Sequence, residues 1–194
     1  MLDAYIYDGL RSPFGRYVGA LATVRADDLV ATVMKALVEK HQLSADIFDE
    51  VLLGSANQAG EDSRNIARNA ALLAGLDVTT PGQTVNRLCA SGLSTVVDAA
   101  RSITCNEGDI ILAGGVESMT RAPFVFAKTE QPFSRDFKVF DTTIGSRFPN
   151  PKIIEQFGSD TMPQTGDNVA QKYGITREEA DNFAAASQAK YQAA

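Results

Sequence analysis

A layered α/β domain built on a mostly parallel sheet is what the first 120 or so residues predict. Two patterns carry this expectation: short apolar runs alternate with segments whose apolar residues recur at helical spacing, and single helical segments separate successive strands. That order requires crossover connections, which pair strands in parallel. Composition agrees, since 194 residues, 44% hydrophobic and 22% charged, are enough to bury a real core.

The elements follow in order. Residues 4–7, A-Y-I-Y, read as a short strand, and a loop rich in turn formers (Gly9, Ser12, Pro13, Gly15, Gly19) follows. Asp27 or Asp28 is expected to cap a helix carrying Leu29, Val30, Val33, Met34, Leu37 and Val38 on one face. Residues 51–53 form a brief buried strand ending at Gly54, and residues 64–74 a helix closed by Gly75. Residues 84–86 are strand-like, a helix runs from about Cys89 to Thr104, and residues 110–113 make another strand ending in Gly114-Gly115. The character changes after Arg121: prolines and phenylalanines gather across 122–160 with no period, and so long an irregular stretch is more often functional than idle. Thr165 is expected to cap a helix stopping at Tyr173-Gly174, and Thr176-Arg-Glu-Glu179 forms a capping box for a last, Ala-rich helix that reads as cut, not finished. The division expected is 1–120 for the α/β domain and 121–194 for a partial second domain.

Bulk charge excludes some functions. A net charge of -6 without a Lys/Arg cluster argues against nucleic acid. No apolar run reaches the roughly 20 residues of a membrane span, and the amino terminus leaves no room for a leader. The two cysteines, Cys89 and Cys105, make no disulfide framework and have no zinc-spaced neighbours, so no metal is expected and a reducing cytoplasm is the natural setting.

The chemistry concentrates at Cys89. T-V-N-R-L-C-A-S-G-L reads as a strand passing through a tight connection into a helix, with the small residues Ala90, Ser91 and Gly92 behind the thiol and an apolar stripe of Leu93, Val96, Val97, Ala100 and Ile103 beyond. A thiol at the first turn of a helix meets unpaired N–H groups and the positive end of the dipole, which favour the nucleophilic thiolate and can hold an oxyanion. The competing reading is a small buried packing residue, the commonest fate of a free cysteine. Cys105, at the other end of the same helix, reads as structural. A base is less evident. His41, the only histidine, reads as a solvated residue at a helix end, and Glu117, a second choice, reads as an exposed or structurally paired carboxylate.

Several segments resemble one family. N-R-L-C-A-S-G-L resembles the nucleophile segment of thiolases, and A-G-G-V-E-S-M-T-R-A-P at 113–123 is similar to the glycine turn after their next strand. R-S-P-F-G-R near the start and G-E-D-S-R-N-I-A-R-N-A-A-L-L-A-G at 60–75 also fit, so the resemblance covers essentially the whole chain. F-D-T-T-I-G-S-R-F-P-N-P (140–151) and D-T-M-P-Q-T-G-D-N-V-A (160–170) resemble the thiolases that cleave 3-oxoadipyl-CoA in aromatic catabolism. Ser146 stands where that pattern has tryptophan, and Thr161-Met162-Pro163 replaces the His-Met-Gly of acetoacetyl-CoA thiolases.

The resemblance implies a thiolase-like layered fold whose irregular and helical part is the loop domain over the active site. It implies Cys89 as the residue acylated by a 3-oxoacyl-CoA, Met162 as a lining of the acyl pocket, acyl-CoA and CoA as partners, and CoA as substrate with no resident cofactor. It also implies a cytoplasmic homo-oligomer, dimer or tetramer. In the family the histidine base, a second cysteine and an asparagine-held water lie in the second half of the chain. The segment is therefore expected to be an amino-terminal part, inactive alone, with the carboxyl-terminal half absent. The alternative is a non-catalytic interaction subunit that pairs with a separate chain carrying that half. A ketosynthase of the same fold fits the two glycine-rich motifs less well.

Overall fold

A computed structural model of the chain describes residues 2–193. The elements are α1 (Ala26–Lys40), β1 (Glu50–Gly54), α2 (Ile66–Leu73), β2 (Gly82–Val85), α3 (Ser91–Thr104), β3 (Ile111–Gly115), β4 (Phe124–Phe126), β5 (Val139–Asp141), α4 (Pro151–Phe157), α5 (Met162–Tyr173) and α6 (Arg177–Ala193). They fall into two compact units, one running to Ile144 and one starting at Gly145.

The first unit holds the expected parallel sheet. Its order is β2-β1-β3, with Val51 opposite Gly82 on one side and Leu112 on the other. β1 is central and its residues 51–54 are all buried. Side chains alternate across a strand, and two glycines show which helix covers which face. A Cβ on Gly82, the partner of Val51, would fall 2.6 Å from the Arg68 amide nitrogen of α2. A Cβ on Gly54 would fall 2.4 Å from Gly92 N and from Ser91 C of α3. So α2, backed by α1, lies on the Val51–Leu53 face, and α3 on the Leu52–Gly54 face. The main core fills the first of these with Val30, Ala31, Met34, Val51, Leu53, Ile66, Ala67, Ala70 and Ala71. Alanines dominate α2's buried side because the helix must approach the sheet closely.

Several local expectations need correction. Residues 4–7 form no strand, and Tyr5, Ile6 and Tyr7 are exposed. Alternation marks a segment able to pair, but pairing needs a neighbour, and none of the described strands takes it. The N-cap of α1 is Arg25, whose side chain makes no capping bond, while Asp27 and Asp28 lie in the first turn beside the positive helix end. Asp27 instead chelates Arg25 at 2.7 and 2.9 Å. On α3 the apolar stripe is not the buried side. Ser91, Ser94, Thr95 and Ala99 face the sheet, whereas Leu93 is 70% exposed. Strand ends and helix meet backbone to backbone here, which leaves room only for small side chains. The Thr95 hydroxyl, fully buried, lies within bonding distance of the Gly92 and Gly114 carbonyls.

The segment after Arg121, expected to be irregular, contains the antiparallel hairpin β4–β5, in which Val125 faces Phe140. In the second unit the N-cap of α5 is Thr161, not Thr165: its hydroxyl accepts from Gln164 N–H while the Gln164 side chain accepts from Thr161 N–H. Pro163 falls inside the first turn, where proline is well suited. The Thr176–Glu179 box is present as expected, with bonds of 2.8 and 3.2 Å. Among the described residues no helix is long and apolar enough to cross a membrane.

Candidate functional site

In an open parallel sheet the chemistry collects where strands deliver their loops, at the carboxyl ends. Three such loops meet here: 55–57 after β1, 86–90 after β2 and 116–117 after β3. They are joined by a hydrogen-bond chain. Asn86 Nδ2 donates to Ala56 O (3.1 Å), and the Ala56 and Asn57 amides donate to the Glu117 carboxylate at 2.9 and 3.1 Å. Asn57 Nδ2 continues to Thr142 O at 2.8 Å. Glu117 is thus a structurally paired carboxylate, its oxygens engaged in tying two loops together.

Cys89 lies in the loop after β2 and is exposed, so it packs into no core within this chain. It precedes the N-cap Ala90, so it stands just outside α3 rather than in its first turn. The turn is tightly bonded. Leu88 N–H donates to Asn86 Oδ1 (3.0 Å), Ala90 N–H to Arg87 O (3.2 Å) and Ser91 N–H to Leu88 O (3.0 Å). The Ser91 hydroxyl accepts from Arg87 N–H at 2.8 Å and donates to Leu88 O at 2.6 Å. One helix-start amide, that of Ser91, is therefore already used, and fewer face a ligand than the sequence suggests.

Gly54 is what lets this turn sit on the sheet, since any side chain there would strike the first residues of α3. Gly115 supports the same approach: a Cβ on it would lie 3.0 Å from Gly54 O and 3.2 Å from Gly92 Cα.

Within the first unit, the other residues singled out do not join this cluster. His41 follows α1 as its C-cap and is half-buried, not solvated: Nε2 is 2.5 Å from Asp8 Oδ2, and the ring stands edge-on to Tyr7. Lys40 and His41, together with the Gly9 amide, hold the Asp8 carboxyl well below the usual carboxylate range. Cys105 is exposed at the C-cap of α3 and fills no core, contrary to its structural reading. Met162 heads α5 in the second unit and is 79% exposed. A cleft of about 440 Å³ lies between the 10–17 loop, Leu29, Val30 and Val33 of α1, and residues 115–120. Glu117 lines it and Cys89 does not.

Sequence reading missed the residues that hold the turn. Asn86 carries the signal of an Asx turn, an asparagine two residues before the amide it accepts from, and Ser91 was seen only as a small residue. It also missed a charge cluster beneath: Arg121 grips Glu61 in a fork at 2.5 and 2.9 Å, and Arg25 reaches the same carboxylate at 3.4 Å. Arg121 is the chief cause that keeps the Glu61 pKa low. Among the described residues no group of three or more His, Cys, Asp or Glu is placed to hold a metal ion.

Comparison with known proteins follows the same lines. Residues 4–194 match the family "Thiolase, N-terminal domain". The chain is 54% identical over 189 residues to the 3-oxoadipyl-CoA/3-oxo-5,6-dehydrosuberyl-CoA thiolase of Escherichia coli (strain K12), covering 97% of this chain and 47% of that protein. It is 54% identical over 195 residues to the beta-ketoadipyl-CoA thiolase of Pseudomonas putida, covering 100% of this chain and 49% of that one. Among solved structures, the acetyl-CoA acetyltransferase of Bacillus anthracis superposes with a TM-score of 0.77 at 30% identity, over 89% of this chain and 42% of that one. The chain therefore spans about half the length of the curated relatives it matches. By the match across nearly all its residues and the shared fold, it belongs to the thiolase family, as that family's amino-terminal domain.

Proposed function

We propose that this chain supplies the acyl-accepting nucleophile of a CoA-dependent acyltransferase that cleaves a 3-oxoacyl-CoA, with 3-oxoadipyl-CoA as the substrate. The observation that supports it is Cys89 itself: a free, exposed thiol on a turn held by the Asn86 and Ser91 side chains, where three strand loops converge. In this reading the Cys89 thiolate adds to the 3-keto carbon. The C2–C3 bond then breaks, its electron pair takes a proton and leaves as acetyl-CoA, and the acyl group stays on sulfur. A CoA thiol next attacks the thioester, and Cys89 departs as thiolate. The 54% identity to thiolases named for 3-oxoadipyl-CoA supports that substrate. Met162 belongs to the same reading as an acyl-pocket residue, as do the cytoplasmic setting and the homo-oligomer.

Thioester exchange needs only a thiolate, whereas carbon–carbon cleavage also needs proton transfer, each group of which contributes ~10²–10⁴-fold. The test is to incubate the chain with succinyl-CoA or acetyl-CoA and locate the adduct by peptide mass. Acyl transfer to Cys89 in preference to Cys105, abolished in Cys89→Ser, is expected, with no turnover of 3-oxoadipyl-CoA plus CoA. Equal labelling of the two cysteines would remove the acyl-carrier role.

A further inference from the structure

Leu88 has a backbone φ of +51°, in the left-handed region that a leucine enters at a cost. Its side chain is 71% exposed, so packing does not hold it there. The backbone bonds do. Its N–H is fixed by Asn86 Oδ1, its C=O by both Ser91 Oγ and Ser91 N–H, and Ser91 is 4% exposed. Asn86 is itself anchored to the loop after β1 through Ala56 O, and Ser91 Oγ also accepts from Arg87 N–H.

We infer that Asn86 and Ser91 are positioning residues for Cys89, acting through Leu88. They hold residue 88 left-handed, and this hinge aims the next residue's thiol at the start of α3. The inference deepens the acyl-carrier reading and takes its functional meaning from it. Neither residue touches the reacting atoms. If either bond set is lost, residue 88 relaxes to the right-handed or extended region and Cys89 turns with it.

This predicts a rescue that an ordinary buried hydrogen bond would not show. Glycine occupies positive φ without penalty, so Leu88→Gly should repair what Ser91→Ala breaks, although position 88 contributes little packing. The measurement is the iodoacetamide alkylation rate of Cys89 relative to Cys105 in the same chain, an internal reference because both thiols are exposed. Ser91→Ala is expected to lower that ratio roughly fivefold, the scale of one left-handed residue set free, and Asn86→Ala to lower it in the same direction. Leu88→Gly alone should stay within about twofold of wild type, and Ser91→Ala/Leu88→Gly should recover at least half of the loss on a logarithmic scale. Urea midpoints taken alongside separate misfolding from misaiming. If Ser91→Ala fails to fold, exposed Asn86→Ala carries the test with the same Leu88→Gly rescue. An unchanged ratio in both variants, or a loss that Leu88→Gly does not recover, overturns the inference. Alkylation reads the geometry of the thiol and thioester exchange reads acyl transfer, so each can fail while the other stands.

Discussion

Gly54→Ala is the substitution for which the structure specifies the largest effect from one methyl group. The added Cβ would lie 2.4 Å from Gly92 N, 2.4 Å from Ser91 C and 2.7 Å from Ser91 O. All three are backbone atoms, so no side chain can rotate out of the way. Ordinary contact begins near 3.4 Å, and the first turn of α3 must retreat from β1 by about 1 Å. That movement pulls on the Thr95 bond to Gly114 O and on the Val116 N–H bond to Gly54 O. Overpacking typically costs about 1–3 kcal/mol, and rigid backbone on the far side puts this case near the upper end. With a urea slope of about 2 kcal/mol/M, a loss of about 3 kcal/mol lowers the unfolding midpoint by about 1.5 M.

Gly92→Ala is the matched control. The nearest atoms to its Cβ are Gly114 O at 3.9 Å and Gly115 Cα at 4.0 Å, which is ordinary contact, and alanine is the better helix former by up to about 1 kcal/mol. Its midpoint should stay level or rise by up to about 0.5 M. Circular dichroism in urea on both variants checks the pair. A Gly54→Ala midpoint within about 0.3 M of wild type, or equal losses in the two variants, would refute the close backbone approach on which the Cys89 turn depends.

Glu61 ionises more readily when folded because Arg121 and Arg25 face it, so its contribution is fully present above its unfolded value near 4.5 and is lost as pH falls through the lower folded value; Glu61→Gln should destabilise by about 2 kcal/mol at neutral pH and flatten the acid limb of a urea-midpoint profile below pH 4.5, and an acid limb unchanged by the substitution would assign that loss to other groups. Helices α4, α5 and α6 bury no residue, unlike β1 and α2, so their amides should exchange with deuterium roughly a hundredfold faster than those of β1; comparable protection in α6 and β1 would count against locally held helices.

The sheet and its helices were legible because each has a local signature. Val51 to Leu53 are continuous apolar residues, Gly75 with φ +83° follows the C-cap of α2, and the crossover rule then made the sheet parallel. Failures came where a partner decides. Residues 4–7 have strand composition without a neighbour to pair with, and Leu93 and Val96 have helix-core composition on the side of α3 that the sheet does not cover. Serine and threonine took the covered side because Gly54 and Gly115 bring backbones together there, a tertiary fact no periodicity carries. At the site Cys89 stood out by its motif, but the bonds that hold its turn did not. Asn86, Ser91 and Glu117 act by bonding to backbone groups distant in sequence or hidden in a turn, and such bonds leave only weak compositional traces.

The division of labour at this site follows from how its polar groups are engaged. Glu117 directs both oxygens at the amides of Ala56 and Asn57, and His41 is bound to Asp8 at the far end of α1. Two polar side chains flanking Cys89 are bonded to backbone: Asn86 to Ala56 O and Leu88 N–H, Ser91 to Arg87 N–H and Leu88 O. Neither of the two bases weighed from the sequence is therefore disposed toward the thiol by these contacts. What the three loops provide is position. Holding a reacting group in one geometry lowers a barrier independently of proton transfer, and the two contributions can reside in separate segments of a protein. Under the proposed acyl-carrier role, this separation predicts that thioester exchange at Cys89 and cleavage of a carbon–carbon bond part company in this chain, the first measurable and the second not.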